Sequence, residues 1–222
     1  MADGVFTNDG CPVEVYRLLP TAGEPEIIHA ALPAGATVLD LGSGCGRIAH
    51  ALVDLGHPVV AVDDSPDMLA HVHGAETVCG RIEDLRLDRR FDAVLLCSHL
   101  INTPAEPVRH SLLATARRHL ADSGKLLVEW HPPSWFDTVS DGQRGRLGDV
   151  EILLLDVVRD GDLLSATVRY STANARWFHS FTCRRLTEPA LHAALPVADL
   201  TFAGWLSPSH DWFAAQVRSV RA

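Results

Sequence analysis

Long apolar runs are missing from this chain of 222 residues. None approaches the roughly 18 residues that a membrane helix needs, so no membrane partner is expected. The first ten residues, M-A-D-G-V-F-T-N-D-G, lack the basic-then-apolar pattern of an export signal, which points to a cytoplasmic location. Cysteine is sparse. Cys11, Cys45, Cys79, Cys97 and Cys183 form no C-x-x-C pair, which excludes a zinc knuckle and a disulfide framework and leaves small apolar side chains. The twelve histidines include no H-x-x-x-H pair, and no metal is expected. Positive charge is not in excess: 19 Lys and Arg against 28 Asp and Glu leave a net charge of −9. Such a surface is poorly suited to neutralising phosphates, so no nucleic-acid partner is expected. Repeats and low-complexity tracts are absent as well, and the length suits one domain with a proper core.

What is present alternates between two periodicities. A helix is predicted over Glu24–Leu32, stopped near Pro33, followed by a buried strand over Thr37–Leu41. Arg47–Leu55 reads as a helix with Ile48, Leu52 and Leu55 on one face and Gly56 at its left-handed end. Pro58–Val62 is the next strand, and Ser65-Pro66 opens a helix expected to run to Gly74. Glu76–Cys79, Phe91–Cys97 and Lys125–Trp130 read as further strands, with a helix over Ala105–Leu120 between the last two. Continuously apolar strands separated by helices imply a parallel sheet covered on both faces, a doubly wound α/β fold. After Gly148 the pattern changes. Val150–Arg159, the Asp160-Gly161 turn and Leu163–Ser171 form a hairpin, and Asn174–Cys183 adds a third strand. That strand places Trp177, His179 and Phe181 on one face and Phe178 on the other. A helix over Glu188–Leu195 and strands near Asp199–Trp205 and Trp212–Ser219 return to the main body. The expected division is 1–147 with 186–222 as the main domain, and 148–185 as an inserted antiparallel β lid.

The stretch Thr37–Gly46, T-V-L-D-L-G-S-G-C-G, carries the chemistry. A glycine loop between strand and helix lets a ligand approach the backbone near a helix N-terminus. A dinucleotide fingerprint has its third glycine five positions after the first. Here the glycines fall at Gly42, Gly44 and Gly46, and the fifth position is Arg47. No G-x-x-x-x-G-K-[ST] exists, which excludes a phosphate-binding P-loop. Asp63 ends the second strand, 63 − 42 = 21 positions after the first glycine. It reads either as a ribose-binding carboxylate or as a negative charge at the N-terminus of the next helix.

In order along Val38–Trp130, V-L-D-L-G-S-G-C-G, V-V-A-V-D-D-S-P-D-M-L, F-D-A-V-L-L-C-S-H-L and L-A-D-S-G-K-L-L-V-E-W resemble the motifs of class I S-adenosylmethionine-dependent methyltransferases. The D-G-C-P-V-E-V-Y-R-L-L-P and E-W-H-P-P-S-W segments resemble a group of small bacterial members. The resemblance implies a Rossmann-like seven-stranded sheet, S-adenosylmethionine as cofactor and S-adenosylhomocysteine as product. It implies that Gly42, Ser43, Gly44 and Gly46 line the methionine part, with Asp40 ordering the loop or meeting the amino group. Asp63, with Asp64 beside it, takes the ribose hydroxyls; Met68 and Ile82 flank adenine; Cys97 and Ser98 offer backbone contacts. One departure stands out: Arg81 occupies the position where the family often has an acidic residue for adenine, which shifts that contact to Glu83 or the backbone at Ile82.

Methyl transfer from a sulfonium is an in-line displacement in which the protein aligns the nucleophile, excludes water and supplies a base where the acceptor holds a proton. Candidates at the strand ends are His99, Asn102, Glu129 and His131. His99 reads as a base or substrate contact, or as a packed imidazole. Glu129 and His131 alternate and so share a side, either as a carboxylate orienting an imidazole or as a surface pair. Asn102 binds the acceptor or caps a turn. Trp177, His179 and Phe181 form an acceptor wall, or else a core or dimer face, and Tyr16 and Trp135 carry the same choice. The expected activity is transfer of a methyl group to an O or N atom of a small organic acceptor, by a monomer or homodimer. The competing expectation is a protein that binds S-adenosylmethionine without methyl transfer.

Overall fold

The structure, a computed structural model, describes residues 4–218. Two short helices come first, α1 (Val13–Tyr16) and α2 (Glu24–Ala30). The alternating part follows as β1 (Val38–Leu41), α3 (Arg47–Asp54), β2 (Val59–Asp63), α4 (Pro66–Leu69), β3 (Glu76–Cys79), β4 (Phe91–Leu96), α5 (Glu106–His119) and β5 (Leu120–Glu129). After α6 (Pro133–Thr138) come β6 (Arg144–Leu147), β7 (Val150–Asp160), β8 (Leu163–Ser171) and β9 (Arg176–Arg184). The return runs through α7 (Glu188–Ala194) to β10 (Leu200–Trp205) and β11 (Trp212–Val217). Ser219, the expected end of that last strand, lies outside the described residues.

The main sheet has seven strands in the order β10-β11-β5-β4-β1-β2-β3. β1 pairs in parallel with both β2 and β4, Leu41 lying beside Val62 on one side and Leu96 on the other. β11 pairs antiparallel with β5, Phe213 opposite Val128. The chain builds outward from β1 in one direction and from β4 in the other, so a crevice opens where the two meet, outside their carboxyl ends.

Alternation along the strands sorts the core into two layers. Leu39, Leu41, Val60, Val62, Val94 and Leu96 face α5, meeting its Leu112, Leu113 and Ala116. Val38, Val59, Ala61, Ala93 and Leu95 face the other way, onto Ile28 of α2 and Ile48 and Leu52 of α3. Both faces of β1, β2 and β4 are dry, which is why these strands read as nearly continuous apolar runs.

Two expectations change. The helix opened by Ser65-Pro66 makes only one α turn, because His71 and Val72 donate to carbonyls three residues back and tighten the chain before Gly74. The inserted sheet has four strands, β6-β7-β8-β9, rather than three. β6 is R-G-R-L, short and exposed at the edge, with no apolar alternation to announce it. The third expected strand keeps its faces: Phe178 is 53% exposed while Trp177 is 5% exposed. Trp177 is not free to wall a pocket, however. It packs with Val15, Val150, Val168 and Tyr170, and its indole N–H donates to Glu14 at 3.1 Å.

Asn102, expected to contact the acceptor or cap a turn, spends its side chain on backbone groups of two distant segments. It is buried, its side-chain oxygen accepts from the His131 N–H at 2.8 Å, and its amide donates to the Arg184 carbonyl at 3.0 Å. One side chain thus fastens the segment after β4 to the end of β5 and to the end of β9. Asn102→Ala strands those backbone groups in a dry place, and each buried unpaired polar group costs about 1–3 kcal/mol. Urea unfolding should show a loss of roughly 2–3 kcal/mol with an unchanged m-value.

Candidate active site

The glycine loop leaves β1 by turning back on β2. The N–H groups of Gly42 and Ser43 both donate to the Val62 carbonyl, at 2.8 and 2.9 Å. Gly42, Gly44 and Gly46 have φ of 77°, 55° and 82°, all left-handed. Space is short as well: a Cβ on Gly42 would lie 2.8 Å from Leu100 Cδ1, and one on Gly46 2.7 Å from His50 Nε2. Conformation and contact both demand glycine.

Asp63 props this loop from β2. One carboxylate oxygen accepts from the Gly44 N–H at 2.9 Å and the other from the Ser65 N–H at 3.0 Å. Burial raises its pKa and the two N–H donors oppose that rise. Each oxygen keeps a further lone pair, so the strut remains an acceptor. Asp64 beside it is exposed.

Asp40 lies on the α3 side of β1 and is 2% exposed, with its Oδ2 unpartnered. Burial pushes its carboxyl up to about 7, with nearby Arg47 pulling down and Asp63 adding to the rise. Arg47, which the sequence reading left without a role, is held beside the loop by an ion pair with Glu24 of α2. Among the described residues five buried side-chain polar atoms lack a partner, and three cluster by sequence at the β1 and β4 ends: Asp40 Oδ2, Ser43 Oγ and His99 Nδ1.

At the end of β4, Cys97 is buried, and Ser98 and His99 are both left-handed, with φ of 54° and 60°. Two consecutive non-glycine residues in that region store strain, a feature that gathers at functional sites. The Ser98 N–H donates to Glu129 Oε2 at 2.7 Å, while Glu129 Oε1 lies 3.8 Å from His99 Nε2. His131 stacks on His99 with ring centroids 3.5 Å apart, and Trp135 stacks on His131 at 3.7 Å. Burial pushes Glu129 up to about 7, against the pull of the Ser98 N–H. Burial also pushes His99 down to about 4 and His131 lower still, so both imidazoles are neutral at physiological pH. Among the described residues no hydrogen bond joins Glu129 to His131; the imidazole nearest the Glu129 carboxylate is His99, 3.8 Å away.

The other sequence candidates divide. Ile82 and Leu100 close over Gly42, and Leu100 is a residue that sequence reasoning missed, since an apolar residue after a strand looks like core. Glu83 pairs with the mostly exposed Arg81 at 3.3 Å. Met68 is 3% exposed, its sulfur 3.2 Å from Cys45 Sγ, and Cys11 and Val13 of the N-terminal segment cover it. Tyr16 lies on that segment, accepting from the Cys11 thiol at 3.4 Å, and His179 approaches the same thiol. Tyr16 also lines a cavity of about 360 Å³ with Leu19, Cys45, Arg47 and His50, beside the glycine loop. The acceptor candidates thus fall into two groups, His99–Glu129–His131–Trp135 at the strand ends and Tyr16–His179 at the N-terminal segment.

The seven-stranded sheet with β11 antiparallel beside β5, and the glycine loop at its switch point, match solved S-adenosylmethionine-dependent methyltransferases, and this chain has that fold. Its residues 38–124 match the methyltransferase domain family. An uncharacterized methyltransferase of Mycobacterium tuberculosis is 35% identical over 161 residues, covering 69% of this chain; the chain spans 60% of that relative's length. Among solved structures, the CcbJ methyltransferase of Streptomyces caelestis superposes with a TM-score of 0.76 at 23% identity, over 93% of this chain and 96% of that one. The sugar N-methyltransferase KedS8 of a Streptoalloteichus species gives 0.74 at 20% identity, over 99% of both chains.

The buried carboxyls link pH to stability. A carboxyl whose pKa is higher folded than unfolded binds its proton more tightly in the native state, so stability falls as pH rises from about 4 through 7. Asp40→Asn removes one such group. Thermal unfolding of the ligand-free protein should show the variant more stable than the parent at pH 8, on the order of 2–4 kcal/mol, with the gap closing toward pH 5.

Proposed function

We propose that this protein transfers a methyl group from S-adenosylmethionine to an O or N atom of a small organic acceptor. The observation that carries the proposal is the set of unpartnered polar atoms, Asp40 Oδ2, Ser43 Oγ and His99 Nδ1, around a glycine loop whose backbone is bare. When bound, S-adenosylmethionine supplies an electrophilic methyl group on a sulfonium sulfur. Asp40 and the Ser43 hydroxyl take the amino-acid end of the cofactor. Asp63 and Asp64 take the ribose hydroxyls, and Ile82 and Leu100 bracket the base. That fit rests on the unpartnered Asp40 and Ser43 oxygens and on the remaining lone pairs of Asp63.

His99 and Glu129 then stand where β4 and β5 end. The Glu129 carboxylate accepts a hydrogen bond from the acceptor's O–H or N–H and takes that proton as the new bond forms, and the neutral His99 imidazole beside it orients the acceptor. The stacked rings of His131 and Trp135 hold His99 in place and keep water from one side of it. The net charge of −9 and the sugar substrate in the name of one structural neighbour favour a small acceptor over a nucleic acid.

Titration calorimetry with S-adenosylhomocysteine should show binding. Asp63→Asn should weaken it at least about tenfold, as loss of a charge-assisted hydrogen bond implies, and should also lower the apo melting temperature because the same carboxylate fastens Gly44 and Ser65. No binding at millimolar ligand refutes the reading. With an acceptor in hand, Glu129→Gln should cut turnover by about 10²–10⁴ and leave cofactor affinity within a few-fold. Turnover should rise with pH to a plateau above about 7, where Glu129 has lost its proton. A rate already flat from pH 5 to 8 assigns the proton to His99 instead. Binding without turnover across a broad panel of alcohols and amines returns the non-catalytic reading.

A further inference from the structure

The turn Thr7–Cys11 and strand β9 bring three ligating side chains together from opposite ends of the chain. The turn is closed by the Gly10 N–H to the Thr7 carbonyl at 3.0 Å and the Cys11 N–H to the Thr7 hydroxyl at 2.8 Å, with Gly10 at φ 86°. It sets Asp9 and Cys11 on the same side. Cys11 Sγ lies 3.6 Å from Asp9 Oδ2 and 3.5 Å from His179 Nε2, a contact spanning 168 residues. All three donor atoms fall within 4.8 Å of one another, and Tyr16 adds a hydroxyl oxygen 3.4 Å from the same sulfur.

Hydrogen bonding uses this sulfur only weakly: its one proton serves a single partner, and a thiol sulfur is a poor acceptor for the other groups that crowd it. A cation uses the three donors at once. A tetrahedral zinc with bonds of about 2.3 Å to sulfur and about 2.0–2.1 Å to nitrogen and oxygen places neighbouring donors roughly 3.3–3.6 Å apart. The sulfur-to-oxygen and sulfur-to-nitrogen separations match. One thiolate, one imidazole and one carboxylate suit a borderline-soft ion, whereas magnesium and calcium require oxygen donors. The Thr7 hydroxyl donates to the Asp9 carboxylate, the outer support that metal-binding carboxylates have. Asp9 is exposed, which gives the ion a route in.

We propose that Asp9, Cys11 and His179 bind a zinc-class divalent cation that clamps the N-terminal segment to the inserted sheet. The Cys11 thiol proton passes to solvent as the sulfur–metal bond forms. The clamp acts on structure: Cys11 and Val13 cover Met68 and Cys45, so fixing them fixes the wall of the glycine loop. The test of this site needs no acceptor.

The reduced, metal-free full-length protein should withdraw one equivalent of Zn²⁺ from a chromogenic chelator. With Co²⁺ it should develop the near-ultraviolet thiolate-to-cobalt charge-transfer band and the visible bands of a tetrahedral ion. Cys11→Ser should abolish the charge-transfer band. Asp9→Asn changes an exposed side chain and keeps the fold, yet should weaken metal affinity at least about a hundredfold, since even outer-sphere changes cost 10–100-fold. Cys79→Ser, at an exposed cysteine elsewhere, should leave stoichiometry and spectrum unchanged. Failure to withdraw zinc, a charge-transfer band that survives Cys11→Ser, or a folded Asp9→Asn protein with unchanged affinity each overturns the proposal.

Discussion

The paired donation from Gly42 and Ser43 to the Val62 carbonyl is the constraint on which the candidate site depends. It forces the chain leaving β1 to double back on β2 within two residues, which only left-handed glycines accommodate here. That turn brings Gly44 onto the Asp63 carboxylate and starts α3 at Gly46, so that loop, second strand and helix form one rigid unit. Leu100 can then sit close over Gly42 because no side chain intervenes. The bare loop is thus a condition for β4's far end to reach β1's.

Electrostatics at the strand ends follows from the same packing. Parallel strands buried on both faces carry their terminal residues partly out of water, and Asp40 and Glu129 pay in proton affinity for that position. Arg47 tempers Asp40 from the side, itself held by Glu24. The imidazoles respond in the opposite sense, since burial disfavours their charged form. The outcome is a pair of carboxyls that keep their protons up to about pH 7 beside imidazoles that stay neutral there.

The inserted sheet meets the main domain through polar pins as well as apolar contact. Asn102 ties Arg184 to the β5 end, and the Arg184 side chain in turn donates to the Pro104 carbonyl at 2.8 Å. Arg109, buried in α5, holds the Ile101 and Thr103 carbonyls of the same loop. The loop after β4 is therefore fixed from two sides, which keeps His99 in its left-handed conformation against Glu129. On the far side, α1 fills the hollow under Tyr170 and Trp177.

The sequence by itself determined the sheet. Apolar runs such as F-D-A-V-L-L-C admit only a strand dry on both faces, and G-x-G-x-G after V-L-D-L admits only a left-handed loop at its end. Those are local rules, read over a few residues, and they located Asp40, the glycines and Asp63. They missed β6, an exposed edge whose stability comes from its neighbour, and they overran α4, whose length is set by the tightening turn before Gly74. Tertiary structure alone decided the rest. Whether Asn102, Trp177, Tyr16 and His179 face a ligand or the protein depends on which segments cross them, and those segments lie tens to more than a hundred residues away. Glu129 meets His99 rather than His131, and Asp9 and Cys11 meet His179, because hydrogen bonding and packing between distant strands set which side chains share a space, and no short window of sequence contains that information.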